Sequence, residues 1–513
     1  MTFDLLFEPL IQTDAGWQNL PGLLSAMTRN EVKSFPALRP HQRPAWHMFL
    51  VQLSVMALDL AGHCDLPQDE DTWRDALRTL TSKFPDDQPW HLVAAAHDDP
   101  AFLQPADPGG LKWSEVSTPD ALDMLITSRN HDVKREIARN AAPQDWIFAL
   151  VSLQTMEGFG GAGNYGIARM NGGSSSRVLM GLAPARADGL HIDPSAWWKR
   201  DVSCLLAERM GIGGTTLIWQ EPWPEGQLLD LGALDPLFIE VCRRVRLSYI
   251  GGRIMAERST SKAARIAGKE AKGNTDDPWA PVHLSEGKSF TLGDQDWTHD
   301  LFFRLLFKSP PEWAAPPLAI RHADEATTPM LLLAEAFARG NSKTEGFKSR
   351  VVPVPLAQVR DLFGERPQAI APGVLADIAG VSNTLVGALE LTASEGDREK
   401  RRETKSTAKG RNRLSNITAA AREALQRQAD LMFFPELWAR LSVTTDAGFT
   451  PLRHAFLERL SCIARDEFAR ALPAIPCVSL MRPRAEARGR QELEKGLAKA
   501  MAGTREEDTH VEA

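Results

Sequence analysis

The chain has 513 residues, of which 43% are hydrophobic and 24% charged, with a formal net charge of −7. At about 150 residues per domain this length suggests roughly three units and excludes a single core. The composition is that of a globular chain, and the acidic sum argues against a protein that coats nucleic acid indiscriminately. Local binding stays open, because salt confines each charge's influence to about 10 Å and clustering outweighs the total.

No apolar run approaches the length of a membrane span. The first residues, MTFDLLFEPLIQ, carry Asp4 and Glu8 and no basic residue before their apolar segment, unlike a secretory signal. The expected location is therefore cytoplasmic, with no membrane partner. Cys64, Cys204, Cys242, Cys462 and Cys477 are scattered without a CxxC pair, which supports neither a disulfide framework nor a thiolate zinc site.

In chain order, Phe3 to Ile11 reads as a strand and Ala45 to Ala61 as a helix whose apolar residues nearly encircle it, so it should be buried. Asp69 to Lys83 is a more amphipathic helix, and the Trp residues of this region read as core residues. Thr127 to Asn140 carries Arg129, Lys134, Arg135 and Arg139 against Asp132 and Glu136, which by itself reads as a solvated charged face. Trp146 to Met156 is a second buried helix. It leads into Gly158 to Arg177, GFGGAGNYGIARMNGGSSSR, a stretch that neither a helix nor a strand interior would choose. Glycine lacks a Cβ and lets another molecule approach the backbone, so this is the candidate contact surface. Gly161 to Gly166 matches GxGxxG, but no strand precedes it and no helix follows, and no Walker Lys-Ser/Thr follows either.

Beyond it, His191 to Arg209 reads as a helix opened by Asp193-Pro194, Thr215 to Trp223 as a strand with a Pro-containing turn, and Leu234 to Tyr249 as ordered. Gly251 to Gly273 is a basic cluster (Arg253, Arg258, Lys262, Arg265, Lys269, Lys272) ahead of the strand-like PWAPVHL and SFTL, an excursion free to reach a ligand. Pro316 to Arg339 leads into the polar turn GNSKTEGF, and Val351 to Val354 begins an extended piece. From about 373 the chain is rich in Ala, Leu and Arg with helical period. Val374 to Leu391, Ile417 to Leu441, Pro451 to Leu472 and Arg484 to Met501 suggest a four-helix bundle, with Thr450 and Pro451 as cap and first-turn residues. The expected fold class is α+β: a large mixed N-terminal domain over 1–370, then a C-terminal helical bundle over 371–513 ending in a disordered tail. Arg398 to Arg413 carries eight basic residues against Glu399 and Glu403, a solvated helix end or, on nucleic acid, a phosphate track through Arg401, Arg402, Lys405 and Lys409.

Three blocks, TSRNHDVKR (Thr127 to Arg135), LVSLQTMEGFGGAGNYGIARMNGG (Leu150 to Gly173) and GNSKTEGF (Gly340 to Phe347), resemble in order and spacing the CasA family, the large subunit of the type I-E CRISPR surveillance complex Cascade. The resemblance implies a non-enzymatic subunit that recognises the protospacer-adjacent motif (PAM) in duplex DNA from the minor groove and starts strand separation. It implies as partners double-stranded target DNA, CRISPR guide RNA, the other Cascade subunits and a helicase-nuclease, with no cofactor. Residue by residue it implies a PAM-contacting glycine loop (Gly158, Gly160, Gly161, Gly163), a lysine contact (Lys269 or Lys272) and a strand-separating wedge (Asn341, Ser342, Lys343, Thr344). It further matches Arg129, Asn130, His131 and Lys134 to a loop that touches guide RNA or a neighbouring subunit. Ser342 and Lys343 stand where relatives carry a glutamine, and the zinc knuckle of some relatives is reduced to Cys242, so no metal is expected.

The rival enzyme reading is a metal-dependent phosphohydrolase or nuclease built on the His-Asp doublets at 97/98, 131/132 and 299/300. Their contexts offer no recurring ligand spacing. GxSxG, HExxH and EF-hand patterns are missing too, so no catalytic residue is assigned.

Overall fold

The computed structural model describes residues 1–122, 141–209, 211–320, 326–340 and 343–506. The chain divides into two compact units, Met1–Trp297 with Pro311–Leu356, and Thr298–Pro310 with Ala357–Ala513. Mixed helix and sheet in the first and helices in the second give the expected α+β class.

The first unit is built around the helix Arg43–Ala61, buried without a break from Pro44 to Leu58. An apolar surface on every side leaves it no solvent face, and Gly62, at φ +75°, ends it by turning left-handed and donating back to Asp59 and Leu58. Two of its polar side chains are tied to neighbouring segments. Gln52 Nε2 donates to the carbonyls of Leu237 (2.9 Å) and Phe238 (3.0 Å), and His47 Nε2 lies 2.8 Å from Asp201 Oδ2. The helices Glu70–Thr79, capped by Asp69, and Pro194–Ala207, capped by Asp193, pack against it, as does Pro143–Met156. Trp46, Trp73 and Trp90 are buried, in keeping with the reading of this region's Trp residues as core, whereas Trp17, on the short strand Gly16–Gln18, is 51% exposed and departs from it.

Two three-stranded antiparallel sheets complete the unit. In one, Met330–Gly340 runs between Lys343–Val354 and Leu179–Pro184. In the other, Arg253–Ser259 runs between Ser114–Val116 and Arg244–Ile250. Leu331 through Ala338 are all buried, so this central strand shows no alternation. Glu335 within it is fully buried and paired with Arg43, while Ser349 Oγ donates to it at 2.7 Å.

Several expected elements differ. Phe3 to Leu10 is largely a turn rather than a strand: Asp4 Oδ1 accepts the Leu6 N–H (2.8 Å), Glu8 N–H returns to the Asp4 carbonyl (2.7 Å), and the first strand is Ile11–Thr13. Asp4 makes a single antiparallel bridge to His91, and its side-chain acceptor competes with extending it into a ladder. Thr215 to Trp223 is strand only over Thr215–Leu217 and then a single 3₁₀ turn. The segment 251–273 is not a free excursion. Gly251 and Gly252 turn a hairpin into the strand Arg253–Ser259, and Arg265 is buried over the Trp223 ring. Burial pulls the Arg265 pKa down to about 10.

The second unit has four long helices, Glu365–Ala393, Ala408–Leu441, Asp446–Ala471 and Arg482–Glu506, and the short Arg398–Ser406. The third starts at Asp446 after Thr445, so Thr450 and Pro451 lie inside it instead of capping it. Arg440 is buried between Asp377 (2.9 Å) and Glu436 (2.8 Å). The apolar run after Thr298 belongs here: His299 stacks on Phe433, and Phe302 meets Phe434 edge-on. Residues 507–513, most of the expected disordered tail, lie outside the described residues. Contrary to expectation, Arg43–Ala61 and Glu365–Ala393 are both long and apolar enough to cross a membrane; 83% of the window in the first and 39% in the second is buried within the protein.

His47 carries a pH prediction. Burial pushes its pKa below the ordinary 6.5, against the opposing pull of Asp201. Below that value the unfolded chain takes up a proton that the folded chain refuses, so stability must fall on acidification. The gap in urea midpoint between the wild-type chain and His47→Gln should narrow from about pH 8 to about pH 5. A constant gap across that range would show that His47 does not titrate between the two states.

Candidate nucleic-acid interface

The helix Pro143–Met156 ends at Glu157, and the chain then enters the glycine stretch. Backbone bonds give this stretch a definite course. Gly158 N–H donates to Ser175 O (3.1 Å), Phe159 N–H to Gly173 O (2.8 Å), Ile167 N–H to Glu157 O (3.1 Å) and Arg177 N–H to Met156 O (2.9 Å). Gly160 N–H and Asn164 N–H close the tip on Asn164 O (2.8 Å) and Gly161 O (3.0 Å).

The four glycines named from the sequence are not equivalent. Gly158 is buried, and a Cβ there would lie 2.3 Å from Ser175 O, so its role is close packing. Gly161 has φ +111° with open space around it, a backbone that L side chains rarely adopt at a place where nothing in the chain excludes them. Gly160 is exposed beside it. Gly163 O accepts the Ser261 N–H (3.0 Å), which joins the loop to the end of the strand Arg253–Ser259. Tyr165 adds a second tie there, its hydroxyl donating to Lys262 O (3.1 Å).

One carboxylate gathers the surroundings. Glu157 Oε2 lies 3.5 Å from Arg243 Nη2, and its Oε1 3.5 Å from Arg339 Nη1. Arg243 Nη2 also donates to Gly158 O at 2.8 Å. Arg339 is the last but one residue of the strand Met330–Gly340, so the ion pair sets the glycine loop beside the end of the hairpin that carries the expected wedge. The wedge residues Asn341 and Ser342 lie outside the described residues, while Lys343 and Thr344 have strand backbone paired with Gly340 and Arg339. Arg129, Asn130, His131 and Lys134 also lie outside the described residues.

Both candidate lysines are exposed on a turn that packs along the same stretch. A Cβ on Gly268 would lie 2.7 Å from Ala168 Cβ, and one on Gly273 would lie 2.5 Å from Asn171 N, so Lys269 and Lys272 flank Ala168 to Asn171. Among the described residues a polar cavity of about 580 Å³ opens beside the tip, with Gly160, Asn164, Arg243, Arg258 and Thr260 in its wall. Glu157 and Arg243 were not singled out from the sequence; the only hint was a pair of arginines, 243 and 244, within an otherwise apolar stretch.

In the second unit, the basic run divides. Arg401 Nη1 donates to Gly387 O (2.9 Å), and Lys405 pairs with Glu390. Arg402 and Lys409 are exposed. The His-Asp doublets do not converge on shared ligands: His97 and Asp98 are exposed on the first unit, and His131 and Asp132 lie outside the described residues. His299 Nδ1 meets Asp430 (2.9 Å) instead of Asp300. Among the described residues no group of three or more His, Cys, Asp or Glu is arranged to hold a metal.

A mixed unit with a glycine loop tied to a long hairpin, joined in one chain to a four-helix unit, is a recognisable architecture. It is the fold of the Cse1/CasA proteins. The CRISPR-associated protein Cse1 from Acidimicrobium ferrooxidans matches at 16% identity over 98% of this chain and 99% of its own, with a TM-score of 0.62. CasA from Thermus thermophilus matches at 15% identity over 97% and 100%, with a TM-score of 0.65. Cse1 from Thermobifida fusca matches at 13% identity over 97% and 98%, with a TM-score of 0.55. No protein-family model and no curated protein matches the chain.

If Glu157 sets the loop, Glu157→Gln should remove the charge that balances Arg243 and Arg339 while keeping the shape. Withdrawing one shared negative charge from two mostly buried guanidiniums costs about 1–3 kcal/mol. Hydrogen exchange at the amides of Gly158, Phe159, Gly160 and Ile167 should accelerate, while the amides of Glu365–Ala393 keep their protection. Unchanged exchange in the loop would show that its backbone bonds alone hold it.

Proposed function

We propose that the chain is the large subunit of a type I-E CRISPR RNA-guided surveillance complex, a non-catalytic subunit that recognises the PAM in duplex DNA from the minor groove and starts R-loop formation. The observation that carries this reading is the Glu157 junction, which sets an exposed, open glycine turn next to the end of a long hairpin. The likeness in fold to CRISPR-associated Cse1 and CasA over nearly the whole chain supports it.

Within this reading Gly160 and Gly161 let the minor-groove edge approach the backbone, with Gly163 joining the loop to its neighbour strand and Gly158 packing beneath. The minor groove distinguishes A·T from G·C mainly through the guanine amino group, so such a reader tolerates several motifs. Lys269 or Lys272 contributes a phosphate or base-edge contact. Asn341, Ser342, Lys343 and Thr344 form the wedge at the first base pair beside the motif. Exchange of DNA pairs for RNA–DNA pairs is nearly balanced in energy, so a local opening there is enough to nucleate it. Arg129, Asn130, His131 and Lys134 contact guide RNA or a neighbouring subunit. Arg402 and Lys409, joined by Arg401 and Lys405 where their contacts to Glu492 (3.9 Å) and Glu390 yield, track phosphates. The partners are target DNA, guide RNA, the smaller Cascade subunits and a helicase-nuclease, in the cytoplasm.

The test is binding by the complex formed when the tagged chain is co-expressed with guide RNA and the smaller subunits. The wild-type complex should prefer a motif-bearing duplex over a scrambled one by about tenfold or more. Gly161→Asp should assemble yet lose that preference, because it places a side chain and a negative charge where the groove must approach. Wild-type affinity in the variant, or a wild-type complex with no preference, would overturn the reading.

A further inference from the structure

Two phenylalanines are exposed among the described residues, Phe7 and Phe159. They differ in what covers them. The Phe7 ring carries two guanidiniums, Arg74 at 4.8 Å and Arg78 at 5.1 Å. Phe159, 44% exposed, stands in the glycine loop, and its ring neighbour is Tyr165, at 6.2 Å between centroids and tilted by 52°.

The backbone under Phe159 is anchored on several sides. Its own N–H is held by Gly173 O (2.8 Å), the N–H of Gly160 by Asn164 O (2.8 Å), and the carbonyl of Gly158 by Arg243 (2.8 Å). Gly166 closes from below, since a Cβ there would lie 2.8 Å from Phe159 N. Tyr165 is held in turn through its hydroxyl on Lys262 O. An apolar ring presented on an anchored loop, backed by a second ring and next to Gly160, whose cavity wall also holds the exposed Arg258, suits a flat apolar face carried on a polyanion. A nucleic-acid base has that chemistry.

We propose that Phe159 is a base-stacking residue: its ring packs against a base at the minor-groove edge of the step next to the motif and loosens that step before the hairpin end acts on it. This rests on the glycine loop being the DNA contact. Apolar side chains inserted from the minor groove partly unstack base steps, and sequence is irrelevant to the ring because every base has a π face. Phe159 thereby adds opening to a loop whose glycines only permit approach.

The experiment uses the assembled complex with duplexes carrying 2-aminopurine at each position flanking the motif. Phe159→Ala should fold and assemble normally, bind the motif duplex about tenfold more weakly, and lose a fluorescence rise that the wild type shows at one step. Phe159→Tyr should restore affinity and the rise. Wild-type affinity and fluorescence in Phe159→Ala, with motif preference intact, would overturn stacking alone. Loss of motif preference in the wild type would overturn stacking together with the DNA reading. If Phe159→Ala instead lowers recovery of the smaller subunits while assembled material binds DNA normally, the ring belongs to a protein interface and the proposal fails.

Discussion

The site depends on one carboxylate between two guanidiniums. Glu157 stands where a buried helix gives way to a glycine loop, and its partners come from remote parts of the chain: Arg243 ahead of the strand Arg244–Ile250, and Arg339 at the end of Met330–Gly340. All three side chains are mostly buried, so each charge has lost most of its water and is stabilised by the nearness of the opposite charge. Helix end, loop and hairpin end therefore move as one.

Below that junction the loop is held by further buried arginines. Arg177, its last residue, makes two bonds to Asp277 (2.6 and 2.8 Å) and a third to Gln52 (3.1 Å) of the core helix. Burial would raise the Asp277 pKa, but Arg177 outweighs it and holds the carboxyl below its ordinary value. Arg169 is buried against the carbonyls of Pro236 and Phe238, and burial lowers its pKa to about 10, still charged at neutral pH. Glu240 accepts the Ala168 N–H at 2.6 Å, although burial raises its pKa. The flanks of the loop thus reach into the core of the unit while its tip, Phe159 to Ala162, faces outward. A surface held this way pays little ordering cost when it meets a ligand.

Much of this was legible from residue pattern. Helices apolar on every side announced their burial, and a run of glycines after such a helix announced a loop. The hairpin was harder: Leu331 to Ala338 is covered on both faces and shows no period of two, and the polar Gly340 to Phe347 reads as a turn with extended chain only from Val351, whereas the strand Lys343–Val354 runs through most of it. The ion pair at Glu157 spans 86 residues to one arginine and 182 to the other, and no local pattern encodes such a meeting. Charge count misled at Arg265, which reads as part of a basic surface but is buried over Trp223. Lys405, read as part of a phosphate track, has an ion pair with Glu390 that the run of charges does not announce. Whether a cation is free depends on which carboxylate or ring the fold brings to it.

The central claim is that the loop tip touches DNA at the motif, and contact is what should be measured. Ala162 is exposed at that tip. With a photo-crosslinking amino acid at position 162, the assembled complex should label DNA within the motif or the base pair next to it, and labelling should fall when the motif is scrambled. Labelling spread evenly along both duplexes, or confined to a protein subunit, would contradict the account.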